Sequence, residues 1–294
     1  MSGPPPRRSV LYVPGSNARA LAKARTLTAD ALILDLEDAV APEAKPAARE
    51  RVCAALREGG FGPREIAVRI NALDTEWGEA DLAEACAAAP DAILIPKVDS
   101  ARTVGAVAER IGAAAPEGVR LWSMLETPLG VLNAREIAAA SPLQNVWVVG
   151  TQDLARALGC RTAEGREPLQ TVLGLCLLAA RAFGLALLDG VYGAIRDAEG
   201  FRAECREARD LGFDGKTLIH PSQIDDCNAL FAPSDEDLAR ARRTVAAFER
   251  AREEGRGVAV LDGRMIENLH VESARRTLAR AETLDARARE MRAE

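Results

Sequence analysis

The run Ala31-Leu32-Ile33-Leu34-Asp35-Leu36-Glu37-Asp38 is almost wholly apolar until it turns acidic at its end. It does not alternate polar with apolar residues. Such a run reads as a strand buried on both faces, the mark of a parallel sheet covered by helices. Ala92–Val98 (AILIPKV) and the stretch NVWVVG ending at Gly150 have the same character. Working outward, eight runs of this kind can be placed: Ser9–Pro14, Ala31–Asp38, Glu65–Asn71, Ala92–Val98, Arg120–Thr127, Val146–Asp153, Ala186–Val191 and Lys216–Pro221. Between them lie segments with apolar residues at helical spacing, among them Ala18–Leu27, Lys45–Glu58 and Ala198–Leu211. Eight β-α units in one chain favour a closed (β/α)8 TIM barrel over an open sheet.

The expected organisation is a disordered N-terminus over 1–8, the barrel over 9–232 and a C-terminal helical extension over 233–294. Within the extension, Asp235–Glu253 is a charged helix capped by Ser234. Gly255–Gly263 is a loop holding a short extended run, and Val271–Glu290 is a last amphipathic helix. A barrel closes without this tail, so it is a packing arm, a lid, or an arm reaching a neighbouring subunit.

Composition narrows the chemistry. A net charge of −6 argues against a nucleic-acid partner. With His220 and His270 the only histidines in 294 residues, a multi-histidine metal site is excluded. A bound metal is then expected on oxygen ligands, which suits a hard cation such as Mg²⁺. The six cysteines form no C-x-x-C pair and read as small buried hydrophobes of a reducing compartment. The N-terminus lacks the apolar core of a signal peptide. The longest apolar stretch, Thr171–Leu188, carries Arg181 and two glycines and reads as a buried helix followed by a strand, not a membrane span. A cytoplasmic enzyme with no membrane partner is expected.

Active sites of such barrels lie at the C-terminal ends of the strands. Those ends carry Asp35, Glu37 and Asp38, then Arg69 and Asn71, Lys97, Glu126, Asp153, Asp189 and His220. So many carboxylates at one end raise each other's pKa unless a cation compensates them. Glu126 and Asp153, expected on adjacent strands, are the candidate metal pair, with substrate oxygens and water completing the shell. Arg69 interrupts an apolar strand and needs an anionic partner: Asp35 or Glu37 as scaffolding, or a substrate carboxylate or oxyanion. Arg19 and Lys23 lie four apart after the Val13–Asn17 loop, either as a solvated helix face or as a grip on a phosphate-bearing substrate. His220, before Pro221, reads as a turn and helix start or as a base. His270 is assigned no role.

Several blocks carry a resemblance: Leu11-Tyr12-Val13-Pro14-Gly15, Ile33-Leu34-Asp35-Leu36-Glu37-Asp38-Ala39-Val40, Arg69-Ile70-Asn71, Leu94-Ile95-Pro96-Lys97-Val98, Leu125-Glu126-Thr127, Gly212-Phe213-Asp214-Gly215-Lys216, Ile219-His220-Pro221-Ser222-Gln223 and Asp262-Gly263-Arg264-Met265-Ile266. Nearly the whole chain, tail included, resembles the citrate lyase β-subunit-like CoA-ester lyases of the HpcH/HpaI aldolase group, which includes malyl-CoA and citramalyl-CoA lyases. The resemblance implies a barrel of the phosphoenolpyruvate/pyruvate superfamily, a Mg²⁺ site, and a homotrimer or hexamer. It also implies C–C chemistry on a short acyl-CoA ester. Carried over, Glu126 and Asp153 match the metal ligands, Arg69 the substrate-binding arginine and Asp38 the acidic ring beside the metal. Arg19 and Lys23 fall where the family meets the CoA phosphates. The malyl- and citramalyl-CoA lyases carry an aspartate shortly after the D-G-x-M-I stretch, which acts in a neighbouring subunit's site. Here Glu267 stands in its place, one methylene longer.

The leading expectation is a Mg²⁺-dependent lyase that cleaves a 3-hydroxyacyl-CoA reversibly to an acyl-CoA and a 2-oxoacid. Arg69 would stabilise the thioester enolate and Glu267 would transfer the proton. The alternatives are thioester hydrolysis on the same site, a β-type citrate lyase subunit acting on a citryl thioester, and a 2-oxoacid aldolase acting without CoA.

Overall fold

The computed structural model describes residues 5–162 and 165–293. The chain divides into two compact units, one running from Arg7 to Phe231 and one holding Ala232–Glu294 with the first residues through Pro6.

In the first unit, eight strands close a parallel barrel in sequence order: β1 Ser9–Pro14, β2 Ala31–Asp35, β3 Glu65–Arg69, β4 Ala92–Ile95, β5 Arg120–Leu125, β6 Gln144–Val149, β7 Ala186–Asp189 and β8 Gly215–Leu218. β8 pairs back onto β1. The covering helices are α1 Ala18–Ala24, α2 Lys45–Glu58, α3 Gly78–Ala88, α4 Ala101–Ala114, α5 Pro128–Leu132, α6 Ala134–Ala138, α7 Thr151–Leu158, α8 Gln170–Ala182, α9 Ala198–Leu211 and α10 Ile224–Phe231. The (β/α)8 expectation holds.

The period-2 geometry of the strands separates two cores. Val10, Ile33, Ala67, Leu94, Trp122, Met124, Val148 and Leu188 fill the barrel interior. Their strand neighbours, such as Leu11, Leu32, Leu34, Val68, Ile93 and Leu121, pack outward in the cluster that the helices share. Continuing the inward parity towards the strand ends reaches Tyr12, Asp35, Arg69 and Glu126. The interior is thus apolar in its middle and ionic at its C-terminal mouth.

Several expected strands end early, where a side chain takes over backbone N–H groups or where a helix begins. β2 stops at Asp35, whose carboxylate accepts from the N–H groups of Glu37 and Ala39. β6 stops at Val149, and Asp153 therefore lies in the first turn of α7 and not on a strand. α8 is only partly buried: Leu175 and Leu178 face outward.

The N-terminal stretch is ordered from before the point expected. Arg7 is buried and bidentate to Glu65 at 2.5 and 2.8 Å, and Arg8 pairs with Asp30 at 2.8 and 2.9 Å. Residues 1–4 of the expected disordered stretch lie outside the described residues. All six cysteines are free thiols, five of them buried. No helix among the described residues is long and apolar enough to cross a membrane.

The second unit holds α11 Asp235–Glu253, the antiparallel pair β9 Ala259–Leu261 and β10 Arg264–Ile266, and α12 Asn268–Ala293. Ser234 caps α11 by accepting from the Asp237 N–H at 3.1 Å. The hairpin turn is Asp262-Gly263, both with positive φ, the pairing that a two-residue turn between twisted strands requires. Ala247, Ala251, Ala259, Ile266 and Val271 make the small core of this unit.

Candidate active site at the barrel mouth

Adjacent strands bring the ionic residues together in pairs. Asp35 and Arg69 are register partners on β2 and β3. Arg69 donates from Nε to Asp35 Oδ1 at 2.6 Å and from Nη2 to Oδ2 at 2.7 Å. Its Nη1 lies 3.0 Å from Glu37 Oε2 and 3.6 Å from Asp38 Oδ2. The guanidinium carbon sits 4.7 Å from the centre of the Tyr12 ring. Arg69 is therefore held by three carboxylates and an aromatic face. Its bidentate fork is on Asp35, the scaffolding partner weighed from the sequence. The same burial that makes these pairs close raises the Glu37 pKa, against the lowering effect of Arg69 and Lys97.

A buried network holds the loop after β2 from behind. Lys45 donates to the carbonyls of Leu36 and Glu37, at 3.0 and 2.8 Å, and to Asn71 Oδ1 at 2.7 Å. Asn71 in turn donates to Leu36 O and to Asp81, which Arg49 also pairs. These contacts fix the backbone that presents Glu37 and Asp38 to the mouth.

Lys97 joins the two halves of the site. It follows β4 in a left-handed conformation, φ 52°, which a non-glycine residue adopts only when its surroundings demand it. Its backbone N–H donates to Glu126 Oε1 at 2.7 Å, and its Nζ donates to Glu37 Oε1 at 2.7 Å. The hydrogen bond to Glu37 holds the ammonium pKa up.

Glu126 follows β5 and is almost fully buried. Burial pushes its pKa up to about 7, with the charges of Asp153 and Glu37 adding to the effect. The carboxylate lies against Gly150. A Cβ at 150 would sit 2.4 Å from Glu126 Cβ and 2.5 Å from Oε2, so only glycine lets this side chain occupy its place. Asp153 stands three residues further on, in the first turn of α7, and pairs with the exposed Arg156. The two carboxylates thus reach one end of the barrel by different routes, one from a strand end and one from a helix start.

This pair has the chemistry of a hard divalent cation site. Glu126 is a buried carboxylate with a second acidic group beside it, and a cation relieves both its desolvation and the repulsion. Among the described residues no group of three or more His, Cys, Asp or Glu side chains is arranged to hold a metal ion. The protein would then contribute a pair of oxygens, leaving the remaining coordination positions to substrate and water.

A second ionic cluster sits where the last residue of β7, Asp189, pairs with Lys216 of β8. Lys216, fully buried, donates to Asp189 and Glu204, both at 2.6 Å, and to Gly190 O at 2.5 Å. Arg166 reaches Asp189 from the other side at 2.6 Å. The sequence marked Asp189 but not its two cations. A lysine inside the strand Gly215–Leu218 was the available signal.

Other sequence-marked residues of the barrel unit share no hydrogen bond with these clusters among the described residues. Arg19 and Lys23 are exposed on α1 and make no ion pair with a described residue. His220 caps the turn that follows β8: its Nδ1 accepts from the Ser222 N–H, while Gln223 reaches back to the His220 N–H. Glu267 is exposed in the second unit, immediately before α12. There its N–H donates to Nδ1 of His270 at 3.1 Å, which gives His270 a capping part in the helix start. Sequence reasoning placed Lys97 at a strand end without assigning it a role, and did not place Tyr12, whose inward parity in β1 could have marked it.

Comparison with known proteins fits this geometry. Residues 8–221 match the HpcH/HpaI aldolase/citrate lyase family. The chain is 54% identical over 281 residues to a protein of Cereibacter sphaeroides named (3S)-malyl-CoA thioesterase, covering 96% of each. It is 39% identical over 284 residues to the citrate lyase subunit beta of Escherichia coli, covering 94% of this chain and 93% of that one. The protein CitE of Mycobacterium tuberculosis, solved in complex with magnesium, acetoacetate and coenzyme A, superposes with a TM-score of 0.75 at 37% identity, covering 96% of this chain and 99% of its own. The chain belongs to the HpcH/HpaI aldolase/citrate lyase family.

Proposed function

We propose that the protein is a Mg²⁺-assisted hydrolase of a short 3-hydroxyacyl-CoA ester that bears a distal carboxylate, with malyl-CoA the expected substrate. The observation that carries this reading is the 54% identity, along almost the full length of both chains, to a relative named (3S)-malyl-CoA thioesterase. It moves the emphasis from carbon-carbon cleavage to hydrolysis of the thioester. The presence of Glu267 where the malyl- and citramalyl-CoA lyases resembled here carry an aspartate supports the same shift.

Glu126 and Asp153 are the residues that would hold Mg²⁺. When bound, Mg²⁺ supplies Lewis-acid polarisation and an anchor for substrate oxygens. Arg69, fixed by Asp35 and Tyr12, would act through its positive charge, without a free donor, to stabilise charge developing on the thioester oxygen. Glu267, contributed by the tail of a neighbouring copy in a homotrimer or hexamer, takes a proton from the attacking water. The water oxygen bonds to the thioester carbon, the C–S bond breaks, and the proton passes to the CoA sulfur. Asp38 lines the acidic rim beside Arg69, and Arg19 with Lys23 meets the CoA phosphates at the exposed start of α1.

Carbon-carbon cleavage on the same residues is the second reading, favoured by the relatives named citrate lyase subunit beta. One incubation separates the two. With malyl-CoA and Mg²⁺, hydrolysis yields free malate and CoA, whereas cleavage yields glyoxylate and acetyl-CoA, and mass spectrometry distinguishes them. Turnover by the isolated chain would count against a role that needs a carrier-protein partner. Light scattering after gel filtration tests the assembly.

A further inference from the structure

The ends of β3 and β4 bring two cations to the barrel mouth, Arg69 as the last residue of β3 and Lys97 just after β4, and the structure treats them differently. Arg69 has Nε and Nη2 on Asp35, and Nη1 within 3.0 Å of Glu37 and 3.6 Å of Asp38. Its side chain is 8% exposed. Among the described residues Lys97 has a single ion-pair partner, Glu37, at 2.7 Å, and its side chain is 46% exposed. An ammonium has three donors, so two remain for another acceptor. Its position is not free to drift. The Lys97 N–H is fixed on Glu126 Oε1, and the left-handed backbone at this residue sets where the side chain leaves the strand end. A group held at Glu126 is therefore within reach of a lysine rooted on the same carboxylate.

From these contacts we propose that Lys97 is the substrate-binding residue for the distal carboxylate of the acyl group, and so a determinant of specificity for carboxylated over neutral acyl-CoA esters. This rests on the reading of the mouth as an acyl-CoA site, and it transfers to Lys97 the anion-binding part that the sequence offered to Arg69. The physical reason is saturation. An entering carboxylate meets Asp35, Glu37, Asp38, Glu126 and Asp153, and it needs a cation whose donors are not already committed. Glu37 plays a second part here, since its hydrogen bond keeps the lysine charged and aligned while leaving part of its surface open.

The test compares malyl-CoA with 3-hydroxybutyryl-CoA, which has a methyl group where malyl-CoA has its distal carboxylate. Lys97→Met should lower kcat/KM for malyl-CoA by about 10- to 100-fold, chiefly through KM, the range expected for one charge-assisted hydrogen bond. The loss on 3-hydroxybutyryl-CoA should be clearly smaller, so that the preference for malyl-CoA narrows. Lys97→Arg should restore most of the malyl-CoA binding. Equal losses on both esters would overturn the proposal, because Lys97 would then act only through Glu126 and Glu37. Unchanged kinetics on malyl-CoA would also overturn it. Calorimetric binding of L-malate against 3-hydroxybutyrate, in Mg²⁺ buffer, gives a readout that does not depend on which bond the enzyme breaks. A wild-type preference for malate that Lys97→Met abolishes would stand even if hydrolysis were disproved. Absence of that preference in the wild type would sink the proposal by itself. Thermal melts of both variants guard against misfolding.

Discussion

Arg69 and Asp35 face each other across β2 and β3 and share two hydrogen bonds, at 2.6 and 2.7 Å, with Asp35 fully buried. A buried pair of this kind costs desolvation on both sides, and breaking it from one side costs more than the pair itself contributes. Arg69→Met should therefore lower the unfolding free energy by about 3–5 kcal/mol, read by urea denaturation. The double variant Arg69→Met/Asp35→Leu should recover much of that stability without recovering turnover. Recovery of both would remove Arg69 from the mechanism.

The raised pKa of Glu126 has a sign that can be checked. The folded state holds this proton up to about pH 7, whereas the unfolded carboxyl releases it near the reference value of 4.5. Between those limits the folded state binds more protons, so stability falls as pH rises and then levels off above about 7. In EDTA the loss between pH 5 and 8 is at most about 3 kcal/mol. Glu126→Gln should flatten this part of the profile. An unchanged slope would mean that another group is responsible.

Gly150 is required by space. Gly150→Ala places a methyl 2.4 Å from Glu126 Cβ, so Glu126 must move. The variant should fold, with a melting point a few degrees lower, and should lose turnover by roughly 100-fold, the scale of a small misplacement in a preorganised site. Wild-type kinetics would show that Glu126 tolerates displacement.

Glu126→Ala and Asp153→Ala should each abolish cation-dependent turnover and weaken Mn²⁺ binding, followed by electron paramagnetic resonance. Full activity of the wild type in EDTA would overturn the metal assignment.

Glu267→Asp shortens the carboxylate by one methylene, to the length that the resembled lyases carry. If Glu267 selects hydrolysis, the variant should shift the products of malyl-CoA from malate towards glyoxylate and acetyl-CoA. Glu267→Gln should depress both. An unaltered product ratio would place the choice between the two reactions elsewhere.

Much of the fold was legible because the strands are continuous apolar runs and the helices carry clear boundaries. Lys45–Glu58, Ala198–Leu211 and Asp235–Glu253 were bounded from sequence as they stand, each marked by a glycine, a cap or a charge change. Strand ends were overextended where Asp35 and Gly150 hand the backbone to side-chain hydrogen bonds and to a helix start. The ring of mouth carboxylates was legible from position alone. Who pairs with whom was not, since that depends on the register between strands far apart in sequence. This is why the sequence leaves Arg69 between scaffolding on Asp35 or Glu37 and an anion clamp, and why Tyr12, Lys97 and Lys216 carry no assigned role.

The protein has four lysines, at positions 23, 45, 97 and 216. Lys45 and Lys216 are sealed inside hydrogen-bonded networks, which leaves Lys23 and Lys97 as the side-chain amines open to solvent. An ordinary amine-directed reagent therefore has few side-chain targets on this chain. Labelling at Lys97, resolved by peptide mass and compared with Lys23 as an internal standard, becomes a direct gauge of whether the barrel mouth is occupied.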